Sequence, residues 1–368
     1  MRAQSPSRAT APTQARAGAV SVALLGVGTV GHAFLQRLHH LRAVDTGLQI
    51  RLVHVSNSRA AVSDPEGLQA GEARRLLTSA GDPHSADPAT ALHARGGTAI
   101  VVDATASDAV ARRHSRWLAR GVHVVTASKL GRGDALARWR EIEQTRRHSG
   151  AHYGDSATVG AGLPLLRSLR ALREGGDGIS SLAGVMSGSL AWLFDSYDGL
   201  RPFSGFLRQA HAAGYTEPDP REDLSGEDVR RKLLILARAS GFALEAGDVE
   251  VESLVPPSLA ALPRVDLDGH WSELDVPMRE RYAQAYRRGE RLRHVARLQV
   301  VNGRVRAKVG LESLPAEDPL ANGCGTDNRV AIWSDRYAVQ PLVIQGPGAG
   351  ADVTAAALLD DVLAIARH

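Results

Sequence analysis

Ser21-Val-Ala-Leu-Leu-Gly26-Val-Gly28-Thr-Val-Gly31 decides how the first half of the chain folds. A short apolar run enters Gly26-x-Gly28-x-x-Gly31, and Ala33, Phe34, Leu35, Leu38 and Leu41 then recur at helical spacing. Three glycines at this spacing are a weak signal alone. Between a strand and a helix they form the turn that dinucleotide-binding folds use. Gly26 permits the tight turn, Gly28 lets the backbone approach a pyrophosphate, and Gly31 lets helix and strand pack closely. The free N–H groups around Thr29 and Val30, at the helix start, favour an anion. The plainer alternative is a glycine-rich turn with no ligand.

Outward from this turn the pattern repeats. Residues 50–56 form a second apolar run with no Asp or Glu from Val53 to Ala61. An acid there would hold a ribose 2′-hydroxyl and repel a 2′-phosphate. Arg59 stands in its place, so NADP(H) is expected over NAD(H), unless Arg59 is only a solvated loop arginine. Residues 60–95 read as a helical connection with polar breaks. Thr98-Ala-Ile-Val-Val-Asp-Ala-Thr-Ala-Ser107 reads as a buried parallel strand, with Thr105 and Ser107 at the end where ligands bind in open α/β sheets. A helix over 109–120 precedes another strand ending at Lys129. These features predict an α/β protein with a Rossmann-like, doubly wound nucleotide-binding domain. The segments near 280–312 alternate like half-buried strands, and 351 to the end reads as an apolar helix.

A second stretch carries the chemistry. Ala213-Gly-Tyr-Thr-Glu217-Pro-Asp219-Pro-Arg-Glu222-Asp223-Leu-Ser225-Gly-Glu-Asp228-Val-Arg-Arg-Lys232 runs from an acid- and proline-rich loop into a helix. Ser225 is the expected N-cap. Asp228 and Lys232 share one helix face. A lone pair of this kind is usually an exposed contact of little consequence. Here Glu217, Asp219, Glu222 and Asp223 crowd the preceding loop, and clustered carboxylates repel unless something cationic binds among them. An ammonium-bearing substrate beside a proton-donating lysine answers that.

The 214–232 stretch resembles the signature of homoserine dehydrogenases, and the resemblance extends over residues 20–368. It takes in Ala157-Thr-Val-Gly-Ala-Gly-Leu-Pro164, Gly184-Val-Met-Ser-Gly-Ser-Leu-Ala-Trp-Leu-Phe194 and Gly346-Pro-Gly-Ala-Gly350. The resemblance implies interconversion of L-homoserine and L-aspartate 4-semialdehyde. Lys232 would donate the proton, Lys129 would assist near the nicotinamide, and Asp228 would orient Lys232. Glu217 and Asp228 would hold the substrate ammonium, and Asp223 would support the loop. Gly350 would approach the cofactor. The main-chain carbonyls of Ser156, Val159, Ala161 and Leu163 would hold a monovalent cation, Na+ or K+. The chain departs from the family pattern at Ser128 and Leu130, which flank Lys129 where Asn and Lys are usual, and at Ser156, where Glu is usual.

The expected organisation is a leader over 1–19, a nucleotide domain over 20–150, and a mixed α/β catalytic and dimerisation domain over 151–337. Residues 338–368 would return to the nucleotide domain. The resemblance reads as a short, monofunctional form that pairs through its second domain as a homodimer or dimer of dimers. The 44 basic and 40 acidic residues give a net charge of +4, no footprint for nucleic acid. No apolar run approaches the roughly 20 residues that span a bilayer. The single cysteine, Cys324, excludes an internal disulfide and fits a reducing, cytoplasmic setting. Two other functions compete. One is a non-catalytic dinucleotide sensor, supported by the three departures. The other is an aldehyde dehydrogenase of the aspartate-semialdehyde type, for which Cys324 is the only possible nucleophile and has no histidine near it in sequence.

Overall fold

A computed structural model describes residues 19–41, 47–79 and 87–368. The proposed leader lies, but for its last residue, outside them. Two six-stranded sheets organise the chain. The first contains β1 (Ala19–Leu25), β2 (Gln49–Ser56), β3 (Ala61–Leu68), β4 (Thr98–Asp103), β5 (His123–Thr126) and β6 (Tyr153–Gly154). Their order is β3-β2-β1-β4-β5-β6. All neighbours are parallel except β2 and β3. Helices cover both faces, which is why β1 and β4 are continuous apolar runs. On one face the helix Thr29–Leu41 and the last helix, Ala351–Ala366, bury Phe34, Leu38, Leu358 and Val362 against Val22 and Leu24. On the other, Leu92, Trp117, Leu118 and Ile142 pack against Ala23, Val101 and Val124.

Two connections differ from the sequence-based expectation. Residues 61–68 are a strand, not part of a helical linker. Pro65 and Gly67 hide the pattern, and this strand tolerates both because it lies at the sheet edge. The expected helix over 109–120 is two short helices, Asp108–Ala111 and His114–Ala119.

The second sheet contains β7 (Ile179–Val185), β8 (Val249–Val251), β9 (Arg291–Val301), β10 (Arg304–Leu314), β11 (Asp327–Ser334) and β12 (Leu342–Pro347). Their order is β12-β11-β7-β9-β10-β8. β9 and β10 form a hairpin whose turn is Asn302-Gly303, both at positive φ, the geometry that matches strand twist. The strands begin at Arg291; residues 280–287, expected within the strand region, belong to the helix Asp275–Arg287. The helices Leu165–Glu174 and Glu227–Ala239 lie on one face and bury Leu166, Leu169, Leu233 and Leu236 against Leu182, Leu298, Val309 and Ile332.

The entry to Glu227–Ala239 also differs. Ser225 closes a preceding short helix, Pro220–Leu224, and Gly226 is the N-cap, with φ +75°. Asp219 starts that short helix a turn early, its carboxylate accepting the Arg221 N–H at 3.0 Å with Pro220 at the first helical position. That leaves room only for a left-handed residue between two helices. A glycine adopts that conformation without the strain an L side chain incurs.

Candidate active site

Asp228 sits between two lysines. Its Oδ2 lies 2.9 Å from Lys232 Nζ and its Oδ1 3.3 Å from Lys129 Nζ. Lys232 and Asp228 come from adjacent turns of one helix, while Lys129 arrives from the loop after β5 in the first sheet. Lys232 Nζ also donates to the Met186 carbonyl at 2.7 Å, just beyond β7. Its side chain keeps 12% of its surface. Burial lowers the Lys232 pKa, with Asp228 opposing the shift and Lys129 adding to it. The Asp228 side chain keeps 46% of its surface, while surrounding protein still desolvates its carboxyl. Burial alone would raise Asp228; the charges of Lys232 and Lys129 outweigh it and hold the group at about 2.

The acidic loop is built around Asp223. Its Oδ1 accepts from Ser189 Oγ at 2.6 Å and its Oδ2 from the Glu217 backbone N–H at 2.8 Å. Glu217 is exposed, and its carboxyl is pushed up by partial burial and by Asp223, Glu222 and Asp228. Among the described residues it forms no ion pair, yet it is close enough to Asp228 and Lys129 to feel both. Asp219 is different: it is committed to Arg221, 2.7 Å away, and to capping.

At the nucleotide end, a Cβ on Gly26 would stand 2.9 Å from the Ala104 carbonyl, and one on Gly31 only 1.9 Å from the Gly26 carbonyl. Neither position accepts a side chain. Gly28 is exposed, with open space where a Cβ would point. Thr29 is exposed, Val30 half-buried, and the first turn of their helix has no acid. This cradle fits a dinucleotide pyrophosphate. Arg59 is exposed in the turn after β2, which Asn57 Oδ1 fixes by accepting the N–H groups of Arg59 and Ala60 at 2.7 and 2.8 Å. Thr105 Oγ1 donates to Asp103 at 2.7 Å and Ser107 Oγ caps the next helix, so both hydroxyls already have protein partners. Gly350 caps the last helix at φ +124°.

Ser156, Val159, Ala161 and Leu163, whose carbonyls are expected to hold a cation, lie on the segment between β6 and the helix Leu165–Glu174, which starts with the short 3-10 helix Ser156–Thr158. Ala161 adopts φ +50°, a left-handed conformation that costs a non-glycine residue about 1–2 kcal/mol. The Leu163 carbonyl already accepts from Leu165 N–H at 2.8 Å, which leaves it one lone pair. Asp361 of the last helix takes both the N–H and the hydroxyl of Ser156, at 2.9 and 2.8 Å.

Sequence reasoning assigned no role to Met186, Ser189 or Arg238. The first two lie in the 184–194 stretch already noted, and that resemblance was their signal. Arg238 had none. It is 2% exposed and donates to the carbonyls of Arg132 (2.5 Å), Asp134 (2.6 Å) and Leu244 (2.8 Å). The loop from Lys129 to Ala135 is thus held at both ends by one helix. Also missed is a buried chain beneath the first sheet's ligand edge: Asp103 accepts from His114 Nε2 at 3.0 Å, and His114 Nδ1 meets Tyr153 OH at 3.0 Å. Cys324 is exposed between Gly323 and Gly325, in a loop tied to Arg293 and Asp195, and meets no histidine there.

Comparisons with known proteins agree with this geometry. Residues 26–154 match the homoserine dehydrogenase NAD-binding domain, and residues 164–363 match homoserine dehydrogenase. The chain is 36% identical over 358 residues to a bifunctional aspartokinase/homoserine dehydrogenase of Zea mays. That match covers 95% of this chain but 39% of the relative, so the chain spans about two fifths of its length. A homoserine dehydrogenase of Emericella nidulans is 34% identical over 368 residues, covering 94% of this chain and 98% of the relative. Among solved structures, a protein of unknown function from Candida auris superposes with a TM-score of 0.88 at 30% identity, covering 95% and 99% of the two chains. With both parts matched and a relative covered nearly end to end, the chain belongs to the homoserine dehydrogenase family, a family of oxidoreductases.

Proposed function

We propose that the protein interconverts L-homoserine and L-aspartate 4-semialdehyde, with Lys232 as the proton donor and acceptor. The observation that carries this is Asp228 lying between Lys129 and Lys232, at 3.3 and 2.9 Å, where the loop after β5 meets the helix Glu227–Ala239. When bound, the nicotinamide supplies or accepts the hydride. In reduction, negative charge grows on the aldehyde oxygen. Lys232 Nζ delivers its proton there, and the Lys129 charge steadies the oxygen. In oxidation the neutral Lys232 amine takes the hydroxyl proton. Burial favours that role by lowering its pKa. Glu217 and Asp228 receive the substrate ammonium, and Asp223 holds the Glu217 backbone in place.

Gly26, Gly28, Thr29, Val30, Gly31, Thr105, Ser107 and Gly350 line the cofactor, and Arg59 meets a 2′-phosphate, so NADP(H) is preferred. The 156–163 loop seats a monovalent cation, which takes no part in the proton transfer. Two copies pair through the second sheet, whose edge strand β12 carries exposed and half-buried residues along its length. Among the described residues no helix is long and apolar enough to cross a membrane.

The test is oxidation of homoserine at alkaline pH with each nicotinamide cofactor in turn. The wild type should turn over. Lys232→Ala should lose about 10²–10⁴-fold in kcat with cofactor affinity intact. A wild type that binds cofactor but leaves homoserine untouched would return the sensor reading. A Lys232→Ala variant with wild-type kcat would move the proton transfer elsewhere.

A further inference from the structure

A cavity lined by arginines lies at the carboxyl end of the helix that carries Asp228 and Lys232. It has a volume of about 480 Å³ and opens between the helices Leu136–Ser149 and Leu165–Glu174 and the carboxyl end of Glu227–Ala239. Arg132, Arg146, Arg147, Arg170, Arg173 and Arg238 line it, against two carboxylates, Glu143 and Glu174. None of the lysine-pair residues borders it.

The arginines outnumber the groups that neutralise them. Arg132 and Arg170 share Asp155, and Arg132 and Arg146 share Glu143. Arg173 donates to the Ala239 carbonyl at 2.9 Å, and Arg238 donates to carbonyls and pairs with Glu245 at 3.9 Å, which leaves six arginines against Glu143, Glu174, Asp155 and Glu245. Arg147 has no ion pair among the described residues. Among the described residues the buried Nε atoms of Arg132 and Arg146 have no hydrogen-bond partner, so their carboxylates do not satisfy either guanidinium in full. Arg132 is itself only 8% exposed. Guanidiniums crowded this closely repel, and their planar forks match an oxyanion bearing several charges.

We propose that this cavity is a second anion site, distinct from the dinucleotide cradle, that takes a phosphate-type oxyanion. The ligand bridges the first sheet's helix Leu136–Ser149 to the second sheet's helices. It also sits against the loop that begins at Lys129, because Arg132 and Arg238 belong to both the cavity and that loop's anchorage. Occupancy therefore stiffens the seam on which the lysine pair depends.

Pyrophosphate is the probe, titrated into protein saturated with NADP+, which keeps it out of the cradle, at constant ionic strength set with chloride. Trp139 borders the cavity and reports on it by fluorescence. One equivalent should bind with a fluorescence change that Trp139→Phe removes. Arg147→Glu and Arg146→Gln should each weaken binding about tenfold or more, the loss of one charge-assisted contact, while Arg59→Ala leaves it unchanged. Arg147 is exposed, so its replacement leaves the fold alone. Inorganic phosphate binding as tightly as pyrophosphate would mean a single phosphate group suffices; tighter pyrophosphate binding would point to a diphosphate-bearing ligand. The proposal fails if the wild type binds neither at about 10 mM, or if binding survives both cavity variants and falls with Arg59→Ala.

Discussion

Asp228 serves two lysines at once, and its removal has a sign that can be worked out. Burial lowers Lys232; Asp228 raises it; Lys129 lowers it. Asp228→Asn deletes the raising charge and leaves the two ammonium groups unscreened, so the Lys232 pKa falls further. On the proposed mechanism homoserine oxidation needs the neutral amine, so the rise of kcat with pH should move to lower pH in the variant. The fall of the reductive rate should move the same way. A pH–kcat profile shifted upward, or not at all, would separate Asp228 from Lys232. Asp228 itself is depressed to about 2 from the ordinary 3.8. Its contribution to stability is therefore complete above about pH 4 and is lost as pH falls from there toward 2. Solvent at its half-exposed side chain keeps that contribution small. Arg59 carries the cofactor prediction. A guanidinium–phosphate contact in a partly exposed site contributes about 1.5–3 kcal/mol. Arg59→Ala should therefore reduce the preference for NADP over NAD about tenfold to a hundredfold, measured as the ratio of kcat/KM values. Equal efficiencies in wild type and variant would show that Arg59 points to water. Asp228 and Lys232 were legible because helical spacing alone puts them on one face. Arg238 was not, because its partners are main-chain carbonyls, those of Arg132 and Asp134 lying 106 and 104 residues away, and carbonyls leave no mark in a sequence.

The helix Glu227–Ala239 is the element that joins the parts. Its first turn holds Asp228, its second Lys232, and its last Arg238, which grips the Lys129 loop. Its apolar stripe was readable, and so was its end near Gly241, which follows the Ser240 cap at φ +99°. Its start was misread at Ser225 because a serine before acids is an ordinary N-cap, whereas the start depended on where the preceding short helix ended. β3 was missed for a related reason: the edge of a sheet tolerates Pro65 and Gly67, so the sequence of an edge strand looks like a break. Gly226 follows as a prediction. At φ +75° a Cβ would be strained and would stand 3.3 Å from Val309 Cγ1 and 3.5 Å from His294 Nε2. Gly226→Ala should cost about 1–2 kcal/mol from the backbone alone, lower Tm by several degrees, and reduce kcat by displacing the first turn while leaving cofactor affinity intact. An unchanged Tm would mean the cap can relax to a right-handed form.

At the scale of the molecule, the chain leaves the first sheet, builds the second, and comes back. In the first sheet β1, β2, β4 and β5 were legible as apolar runs, but the sheet's order was not, because β3 was hidden at the edge and β1 pairs with β4 across the whole β2–β3 connection. The second sheet was readable only in pieces, since pairing β7 between β9 and β11 depends on contacts more than a hundred residues apart. The return of residues 351–366 was suggested only by resemblance, because an apolar terminal helix does not say which core it enters. In the structure Ala355, Leu358, Leu359, Val362 and Ile365 join the first sheet's core, and Asp361 holds Ser156 in the loop between the two sheets. Burying each large apolar side chain contributes about 1.5–3 kcal/mol. Four of these together rival the whole stability of an ordinary domain, about 5–15 kcal/mol. Deleting residues 351–368 should therefore unfold the nucleotide-binding half and give aggregated protein. Asp361→Asn, which keeps the apolar contacts but weakens the hold on Ser156 and the pairing with Arg167, should remain folded with a lower Tm. A soluble, monodisperse deletion variant that still binds NADP+ would show that the helix covers the first sheet without supporting it.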